Sequence, residues 1–422
     1  MPTERAVLVT VQLDPRFSRG GGSWSLEDEA RELEELTISS GCRVVGAVAA
    51  RRHQPVAGTL LGIGKLEEIA GLVDELQGQV VVFNQELSPA QQRNIEEALR
   101  AKTIDRTQLI LDIFAQRARS QEGKVQVELA QLRYLLPRLV GKGIMLSRLG
   151  GGIGTRGPGE QKLEVDRRRI RSRLGRLSEE LEGLSRRRQA TRTRRKETEV
   201  PVVALVGYTN AGKTTLLNRL TGASAVAQNQ LFTTLDPLAR RARLPDGETV
   251  VITDTVGFLH HLPHHLIEAF KATLEEARDA DMLLHVLDAS HPLAAEHATA
   301  VEEVLGALGL KQKPAITVLN KRDRIQDTAQ LPALERLYQP AVAISAKTGE
   351  GLDRLHALIG RELGLLLVHP MRLRIPMERS DLSALVYQSG QVLERRELDG
   401  VLELTARLPA KLKASLSSYI LS

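Results

Sequence analysis

Short apolar runs alternate with amphipathic helical patterns in two separate stretches of the chain. The first stretch covers residues 6–118 and has strand-like runs at 6–11, 43–49 and 80–83, with helical patterns between them. The second covers residues 200–362. Because alternating strand and helix signals are typical of a largely parallel sheet covered by helices, each stretch predicts an α/β domain. The second has six strand candidates, at 202–206, 240–244, 249–253, 282–287, 315–319 and 342–344.

Between these stretches the apolar residues are spaced alternately four and three apart, which places them on one face of a helix. Two such stripes are separated by a segment rich in glycine and proline, which predicts an antiparallel helical hairpin. Residues 189–199 are polar and charged throughout, and we interpret them as a linker to the next domain. The stripe residues are Val125, Leu129, Leu132, Leu136 and Leu139, then Ile170, Leu174, Leu177, Leu181 and Leu184.

These patterns together predict a multidomain α/β protein with four parts. The parts are an N-terminal α/β domain at 1–122, the helical hairpin at 123–198, a P-loop nucleotide-binding domain at 199–364 and a small C-terminal α/β domain at 365–422. The predicted elements of the last part are a strand at 371–377, a helix from Ser380, two strands near Val392 and Val401, and a helix from Ala410.

The composition of the 422 residues is that of a soluble globular protein, with 42% hydrophobic and 26% charged residues. The longest apolar runs are too short to cross a bilayer, and the N-terminus lacks the pattern of a secretory signal. The single cysteine, Cys42, cannot form an intramolecular disulfide, which agrees with a reducing compartment. We therefore expect a cytoplasmic monomer without a membrane domain, and we leave open a peripheral membrane-associated fraction.

The positive charge of the chain is concentrated in one segment. Residues 161–196 hold 14 Lys and Arg against 5 Asp and Glu, a local charge of +9 in a chain whose total is +6. Such a segment is either a solvated helix face or a surface for nucleic-acid phosphates. It contains no Phe, Tyr or Trp, so stacking on bases is not expected to be its main mode of binding. The RNA-binding candidates are Arg156, Arg167, Arg168, Arg169, Arg171 and Arg173.

A phosphate-binding loop is predicted at residues 207–214, which read Gly-Tyr-Thr-Asn-Ala-Gly-Lys-Thr and match the pattern G-x-x-x-x-G-K-[ST]. The loop lies between an apolar strand and a helix, which is the context it requires. Its glycines let backbone N–H groups approach a phosphate, Lys213 supplies positive charge to the β- and γ-phosphates, and the Thr214 hydroxyl can bind Mg²⁺. The sequence thus predicts a nucleoside triphosphate site with Mg²⁺ as cofactor.

Three further motifs follow in order, each at the carboxyl end of a predicted strand, where α/β sheets bind ligands. Residues 254–257, Asp-Thr-Val-Gly, provide a carboxylate to support Mg²⁺ and a glycine N–H for the γ-phosphate. Residues 320–323, Asn-Lys-Arg-Asp, end in Asp323, whose carboxylate can accept two hydrogen bonds from guanine but not from adenine. Residues 345–347, Ser-Ala-Lys, would close over the base. The nucleotide is therefore predicted to be GTP or GDP.

Two segments between these motifs leave alternatives open. Thr233 and Thr234 are both candidates for the threonine that responds to the γ-phosphate. Phe258 follows Gly257, where small signalling GTPases carry a catalytic glutamine, and a phenylalanine cannot orient water. We therefore expect slow hydrolysis by the isolated protein. The nearby histidines could form a metal cluster, but we prefer solvated imidazoles in a mobile loop; they are His260, His261, His264 and His265.

Two stretches outside the nucleotide motifs are distinctive: residues 123–138, GKVQVELAQLRYLLPR, and residues 147–160, SRLGGGIGTRGPGE. With them, the sequence closely resembles the HflX family of GTPases over most of its length. Residues 207–213 and 232–236 also look like the family pattern. The chain departs from that pattern in its histidine-rich segment and at residues 161–162, Gln-Lys, where the family commonly has Thr-Gln.

The resemblance implies a GTPase whose N-terminal domain binds the large ribosomal subunit and its RNA, and which splits or rescues ribosomes under stress. It implies that Thr234 senses the γ-phosphate, that a hydrophobic residue is usual at Phe258, and that turnover is slow without ribosomes. Two rival hypotheses remain, an RNA-remodelling NTPase or helicase and a non-catalytic GTP-sensing module. Asp323 argues against ATP as the main ligand, whereas Phe258 is compatible with the sensor.

The predicted site residues fall into three sets. The catalytic residues are Lys213, Thr234 and Gly257, and the Mg²⁺ ligands are Thr214, Thr234 and, through water, Asp254. The residues predicted to contact the nucleotide are Gly207, Tyr208, Thr209, Asn210, Ala211, Gly212, Lys213, Thr214, Thr215, Phe232, Thr233, Thr234, Asp254, Thr255, Val256, Gly257, Asn320, Lys321, Asp323, Ser345, Ala346 and Lys347.

Overall fold

This computed structural model has a mixed α/β architecture. Its described part contains three β-sheets, the helices connected to their strands and one long helical hairpin. The elements follow the alternation of apolar and amphipathic segments in the sequence, so the predicted fold class is confirmed. The structure describes residues 3–14, 16–17, 24–139, 158–197, 200–222, 231–232, 238–245, 249–260, 271–325, 331–367, 371–389, 391–398, 400–408 and 416–421.

The N-terminal unit is a parallel sheet with helices on both faces. Its elements are β1 (Arg5–Leu13), α1 (Leu26–Ser39), β2 (Arg43–Arg52), α2 (Ile63–Glu75), β3 (Val80–Phe83), α3 (Pro89–Leu99), β4 (Lys102–Asp105) and α4 (Arg106–Arg117). The strand order is β2-β1-β3-β4. Ala6 and Leu8 face one core with α1 and α4, whereas Val7 and Val9 face a second core with α2 and α3. Burial of both faces explains why β3 and residues 6–9 of β1 are continuously apolar.

The helical hairpin consists of α5 (Gln121–Arg138) and α6 (Pro158–Glu197). Val125 and Leu129 of α5 pack against Leu177 of α6, as the spacing of the two stripes predicts. Residues 189–197 of the segment interpreted as a linker are helical, because α6 continues to Glu197. Arginine, lysine and glutamine have high helix propensity, so a polar segment that follows a helix can extend it without an apolar face.

The C-terminal end of α5 is tied to the N-terminal sheet by a buried ion pair. Arg138, in the last turn of α5, donates to the Asp105 carboxylate at 3.2 Å and to the Leu87 carbonyl at 2.7 Å. Its guanidinium also lies 3.4 Å from the centre of the Tyr134 ring. Burial raises the pKa of Asp105, and hydrogen bonds from Gln108 and Leu87 oppose that shift. The direction in which the hairpin leaves the sheet is therefore set by specific polar contacts.

The nucleotide-binding unit has a six-stranded sheet. Its elements are β5 (Val202–Gly207), α7 (Lys213–Thr221), β6 (Leu238–Arg243), β7 (Thr249–Asp254), α8 (Lys271–Asp279), β8 (Met282–Asp288), α9 (Ala294–Ala307), β9 (Ala315–Asn320), a 3-10 turn (Arg322–Arg324), α10 (Leu331–Leu337), β10 (Ala341–Ala343) and α11 (Leu352–Leu367). The strand order is β10-β9-β8-β5-β7-β6, and only β6 runs antiparallel to its neighbour among the strand pairs described. The carboxyl ends of β5, β7, β8 and β9 therefore meet at one edge.

The C-terminal unit is a small antiparallel sheet with one helix. Its elements are β11 (Met371–Pro376), α12 (Ser380–Ser389), β12 (Gln391–Leu398), β13 (Val401–Arg407), a 3-10 turn (Ser417–Tyr419) and β14 (Ile420–Leu421). The strand order is β12-β13-β11-β14. The helix predicted from Ala410 lies outside the described residues. Among the helices that the structure describes, none is both long enough and apolar enough to cross a membrane.

Candidate functional site

The predicted phosphate-binding loop, residues 207–214, connects β5 to α7 and is called the P-loop below. Two of its glycines are required by close approaches. A Cβ on Gly207 would lie 2.2 Å from the Val286 carbonyl oxygen, and a Cβ on Gly212, at φ +96°, would lie 2.3 Å from Asn320 Nδ2. Any larger residue would push the loop away from β8 and β9.

Lys213 places a buried ammonium group under the P-loop. Its Nζ donates to the Gly207 carbonyl at 3.1 Å and to the Tyr208 carbonyl at 2.8 Å. Burial lowers the pKa of Lys213 to about 8, and the negative charge of Asp254 opposes the shift. The lysine is thus held at the loop and carries a positive charge at neutral pH.

Thr214 and Asp254 meet beside this lysine. The Thr214 hydroxyl donates to Asp254 Oδ2 at 2.7 Å, and Asp254 ends β7. A hydroxyl and a carboxylate oxygen at this separation are the hard oxygen ligands that Mg²⁺ prefers. These two residues are therefore suited to bind Mg²⁺, the metal ion that P-loop GTPases generally use. Thr215 follows in the first turn of α7.

The predicted base-binding motifs are joined by hydrogen bonds. Asn320 Nδ2 donates to the Ala211 carbonyl at 2.8 Å, and its Oδ1 accepts from the Ala346 N–H at 3.0 Å. The Ser345 hydroxyl donates to Asp323 Oδ1 at 2.6 Å, and this hydrogen bond lowers the pKa of Asp323. The Asp323 carboxylate is therefore ionised at neutral pH and held in place as a hydrogen-bond acceptor.

Residues 254–260, called switch II below, lie directly against the P-loop. The Phe258 N–H donates to the Gly207 carbonyl at 3.0 Å, and the Thr209 N–H donates to the Phe258 carbonyl at 2.9 Å. Phe258 is only 1% exposed, so its side chain is part of the core rather than a group facing a water molecule. Thr255 donates through its hydroxyl to the Leu205 carbonyl at 2.6 Å, and Val256 is buried.

The preferred interpretation of the histidines is wrong for His260. Its ring stacks on Trp24 with centroids 4.5 Å apart, so it is not a freely solvated imidazole. Its backbone N–H also donates to the Tyr208 hydroxyl at 2.9 Å. Within the described residues there is no cluster of three or more His, Cys, Asp or Glu side chains suited to a metal ion. Several predicted residues lie outside the described part of the chain: Arg156, Thr233, Thr234, His261, His264 and His265.

The predicted RNA-binding arginines lie on α6, in the hairpin rather than beside the nucleotide motifs. Arg168, Arg169 and Arg171 are exposed, and Arg167 is partly buried. Arg173 is exposed but forms an ion pair with Glu128 of α5 at 2.7 Å. An exposed surface ion pair of this kind adds little stability, so a phosphate could replace the carboxylate.

Three residues that the motif search did not identify also contribute to the site. Asp288 at the end of β8 pairs with Lys321 at 2.7 Å, and its position after an apolar strand was the available signal. Glu32 of α1 and Arg106 of α4 reach the site from the N-terminal unit and contact Tyr208 and His260. They are separated from the motifs by about a hundred residues or more, and no local pattern distinguishes them.

Four family models match consecutive parts of the chain. Residues 27–115 match "GTP-binding GTPase N-terminal", and residues 117–195 match "GTP-binding GTPase Middle Region". Residues 202–321 match "50S ribosome-binding GTPase", and residues 335–418 match "HflX C-terminal domain". The matched residues together cover more than half of the chain.

Similar proteins carry the same family name. A GTPase HflX from Caldanaerobacter subterraneus is 46% identical, over 99% of this chain and 94% of its own length. A GTPase HflX from Escherichia coli is 44% identical, over 90% of each chain. A solved GTP-binding protein from Sulfolobus solfataricus in complex with GDP has 25% identity and a TM-score of 0.46, over 85% of this chain and 97% of that chain. The four domain matches and the full-length identities show that this chain belongs to the HflX family of GTPases.

Proposed function

We propose that this GTPase associates with the large ribosomal subunit in its GTP-bound form and leaves it after hydrolysis, and that it splits or rescues ribosomes under stress. The observation that carries the proposal is that a chain with a GTPase unit also carries three exposed arginines on α6, Arg168, Arg169 and Arg171. Arginines on one helix can follow a phosphate backbone. The model matched by residues 202–321 is described as a 50S ribosome-binding GTPase, which supports the same partner.

In this proposal the chain's own residues bind and orient the nucleotide. Lys213 binds the β- and γ-phosphates from beneath the P-loop, and Asp323 accepts hydrogen bonds from the guanine. Thr214 and Asp254 would hold Mg²⁺, with Thr234 as a further ligand, and the bound ion would neutralise charge on the phosphates. Thr234 and the Gly257 N–H respond to the γ-phosphate, so the segments that contain them differ between the GTP and GDP forms.

Phe258 limits turnover by the isolated protein. The phenylalanine side chain cannot orient water, and its ring is buried beside the P-loop. Ribosome binding therefore supplies or positions the group that activates water, which gives slow turnover in solution and faster turnover on the subunit.

Co-sedimentation with purified ribosomal subunits tests the proposal. The full chain is incubated with large or small subunits in the presence of GDP, of a non-hydrolysable GTP analogue, or of no nucleotide. We expect the protein to sediment with large subunits, most strongly with the GTP analogue. Equal sedimentation under all nucleotide conditions, or equal binding to small subunits, would contradict the proposal.

A further inference from the structure

Arg219, in the last turn of α7, contacts the loop that is predicted to close over the base. Its Nε donates to the Ala346 carbonyl at 3.1 Å, and its Nη2 donates to the Lys347 carbonyl at 2.5 Å. Arg219 belongs to none of the predicted nucleotide motifs and lies outside both the P-loop and switch II. Because α7 begins at Lys213, a single helix carries the predicted phosphate-binding lysine in its first turn and holds the base-binding loop from its last turn.

The contact with the Lys347 carbonyl belongs to a chain of hydrogen bonds that ends at Asp323. In a trans peptide group the C=O and N–H bonds point in opposite directions. The Lys347 carbonyl points toward Arg219, so the N–H of the same peptide group, which belongs to Thr348, points to the other side. This N–H donates to Ser345 Oγ at 3.1 Å, and the Ser345 hydroxyl donates in turn to Asp323 Oδ1 at 2.6 Å. Arg219 and Asp323 are thus connected through one peptide group and one hydroxyl.

The contact with the Ala346 carbonyl completes a second set of hydrogen bonds. The Ala346 N–H donates to Asn320 Oδ1 at 3.0 Å, and the Asn320 amide donates to the Ala211 carbonyl of the P-loop at 2.8 Å. Asn320 therefore holds the loop from β9, while Arg219 holds it from α7. Ala346 is only 2% exposed, so its backbone groups depend on these partners within the protein.

Asp323 needs a fixed orientation to recognise guanine. Its carboxylate must lie close to the plane of the base to accept hydrogen bonds from N1 and from the exocyclic amine together. Asp323 is exposed whereas Ser345 is fully buried, so the hydrogen bond from Ser345 restrains the carboxylate from the protein side. The Thr348 N–H occupies one acceptor position of the Ser345 hydroxyl and leaves its proton for Asp323. Loss of the Arg219 contacts would loosen this arrangement and leave Asp323 itself in place.

We propose that Arg219 is a positioning residue for guanine recognition, which holds residues 345–348 so that Ser345 orients the carboxylate of Asp323 toward the base. The inference rests on the guanine contact proposed above for Asp323. It adds to the specificity of the site a group that lies outside the nucleotide motifs. Without the Arg219 side chain the protein still binds the phosphates, but it discriminates less between guanine and a base that lacks the exocyclic amine.

The affinities of GDP and inosine diphosphate test this inference. The two ligands carry the same phosphates and differ only in the exocyclic amine of the base, so the ratio of their affinities is insensitive to the charge that is lost with an arginine. Competition with fluorescent GDP measures both dissociation constants for the full-length wild type, Arg219→Met and Asp323→Ala. We expect the preference for GDP to fall about threefold or more in Arg219→Met, and the ratio to fall to about one in Asp323→Ala.

Arg336→Met is the matched control, because Arg336 is also an exposed arginine in the last turn of a helix, α10, and lies outside the nucleotide motifs. This variant should keep the wild-type ratio. Arg219→Lys retains a positively charged donor on a long side chain and should restore part of the discrimination that Arg219→Met loses. Arg219 is itself exposed, so we expect its variants to fold.

A wild-type ratio in Arg219→Met, even with lower affinity for both ligands or a lower melting temperature, would overturn the inference and reduce Arg219 to a structural contact. In that case a ratio of about one in Asp323→Ala would still support the proposed guanine contact. A wild-type ratio in Asp323→Ala would contradict that contact and the inference together. The measurement contains no ribosomes, so failure of the proposed ribosomal function would not alter its outcome.

Discussion

The buried ammonium group of Lys213 links nucleotide binding to pH. Burial holds its pKa at about 8. Bound phosphates stabilise the protonated amine and so raise that pKa in the complex. A ligand that binds the protonated form loses affinity as pH rises through the pKa of the free protein. The loss of affinity is therefore expected at about pH 8 and above.

The first prediction is that affinity for GTP falls about tenfold between pH 7 and pH 9, because the protonated fraction of a group with this pKa falls from about nine-tenths to about one-tenth. Fluorescence titration at several pH values measures this change. Lys213→Ala should bind weakly at every pH and show no such transition. Constant wild-type affinity up to pH 9, or tight binding by Lys213→Ala, would show that this amine does not bind the phosphates.

Asp323 provides the second prediction, which concerns the base. The carboxylate accepts from Ser345 at 2.6 Å and is ionised, so its remaining acceptor positions suit the N–H groups of guanine. Asp323→Asn replaces an acceptor by a mixed donor and acceptor, and preference should move from GTP toward xanthosine triphosphate. Competition between the two nucleotides measures the change. A variant that still prefers GTP, or a wild type that prefers ATP, would contradict the assignment.

The individual motif residues could be predicted from the sequence because the motifs adjoin apolar strands, and parallel strands bring their carboxyl ends together. In the structure Thr214 contacts Asp254, and Asn320 contacts Ala211, as expected for motifs that meet at one edge of the sheet. Their roles toward GTP stay predictions. Glu32 and Arg106 could not be found in the same way, because their partners are set by the packing of two units and not by local spacing.

The third prediction concerns the arginines of α6. Replacing Arg167, Arg168, Arg169, Arg171 and Arg173 by Gln should weaken binding to the large subunit and flatten its salt dependence. Each lost phosphate contact lowers the slope of log affinity against log salt by roughly 0.7 to 0.9. Arg173 should contribute less than the others, because it must first leave Glu128. GTP affinity should not change.

Subunit affinity at several salt concentrations measures this effect. A variant with Arg240, Arg241 and Arg243 of β6 replaced by Gln serves as the control, since these arginines are exposed but lie outside the hairpin. If the α6 variant keeps the wild-type affinity and slope, the arginines form a solvated helix face and do not bind RNA.

The hairpin also shows what spacing can and cannot predict. The stripes that contain Val125, Leu129 and Leu177 predicted two packed helices, because an apolar face needs a partner. Spacing does not show how far α6 extends, because its last turns have no apolar face and depend on helix propensity. Spacing could not reveal the ion pair between Arg138 and Asp105 either, which joins two elements through buried charge.

Across the whole molecule, the alternation of strands and helices was enough to predict the fold class, because it follows from burial of both faces of parallel sheets. The arrangement of the units was not predictable. Tyr208 and Phe232 pack against α1 and α4 residues far away in the sequence, and single residues such as Ser39 and Phe114 carry no signal of that contact.

GTP turnover by the full chain, with and without purified large subunits, tests most directly the claim that a GTPase unit works together with a ribosome-binding hairpin. Phe258 cannot orient water and stands where small signalling GTPases carry a catalytic glutamine, so the account predicts slow turnover alone. Large subunits should raise turnover by at least about tenfold, which corresponds to ~1.4 kcal/mol of barrier, and small subunits should not. Turnover that large subunits leave unchanged, or that small subunits raise equally, would contradict the account.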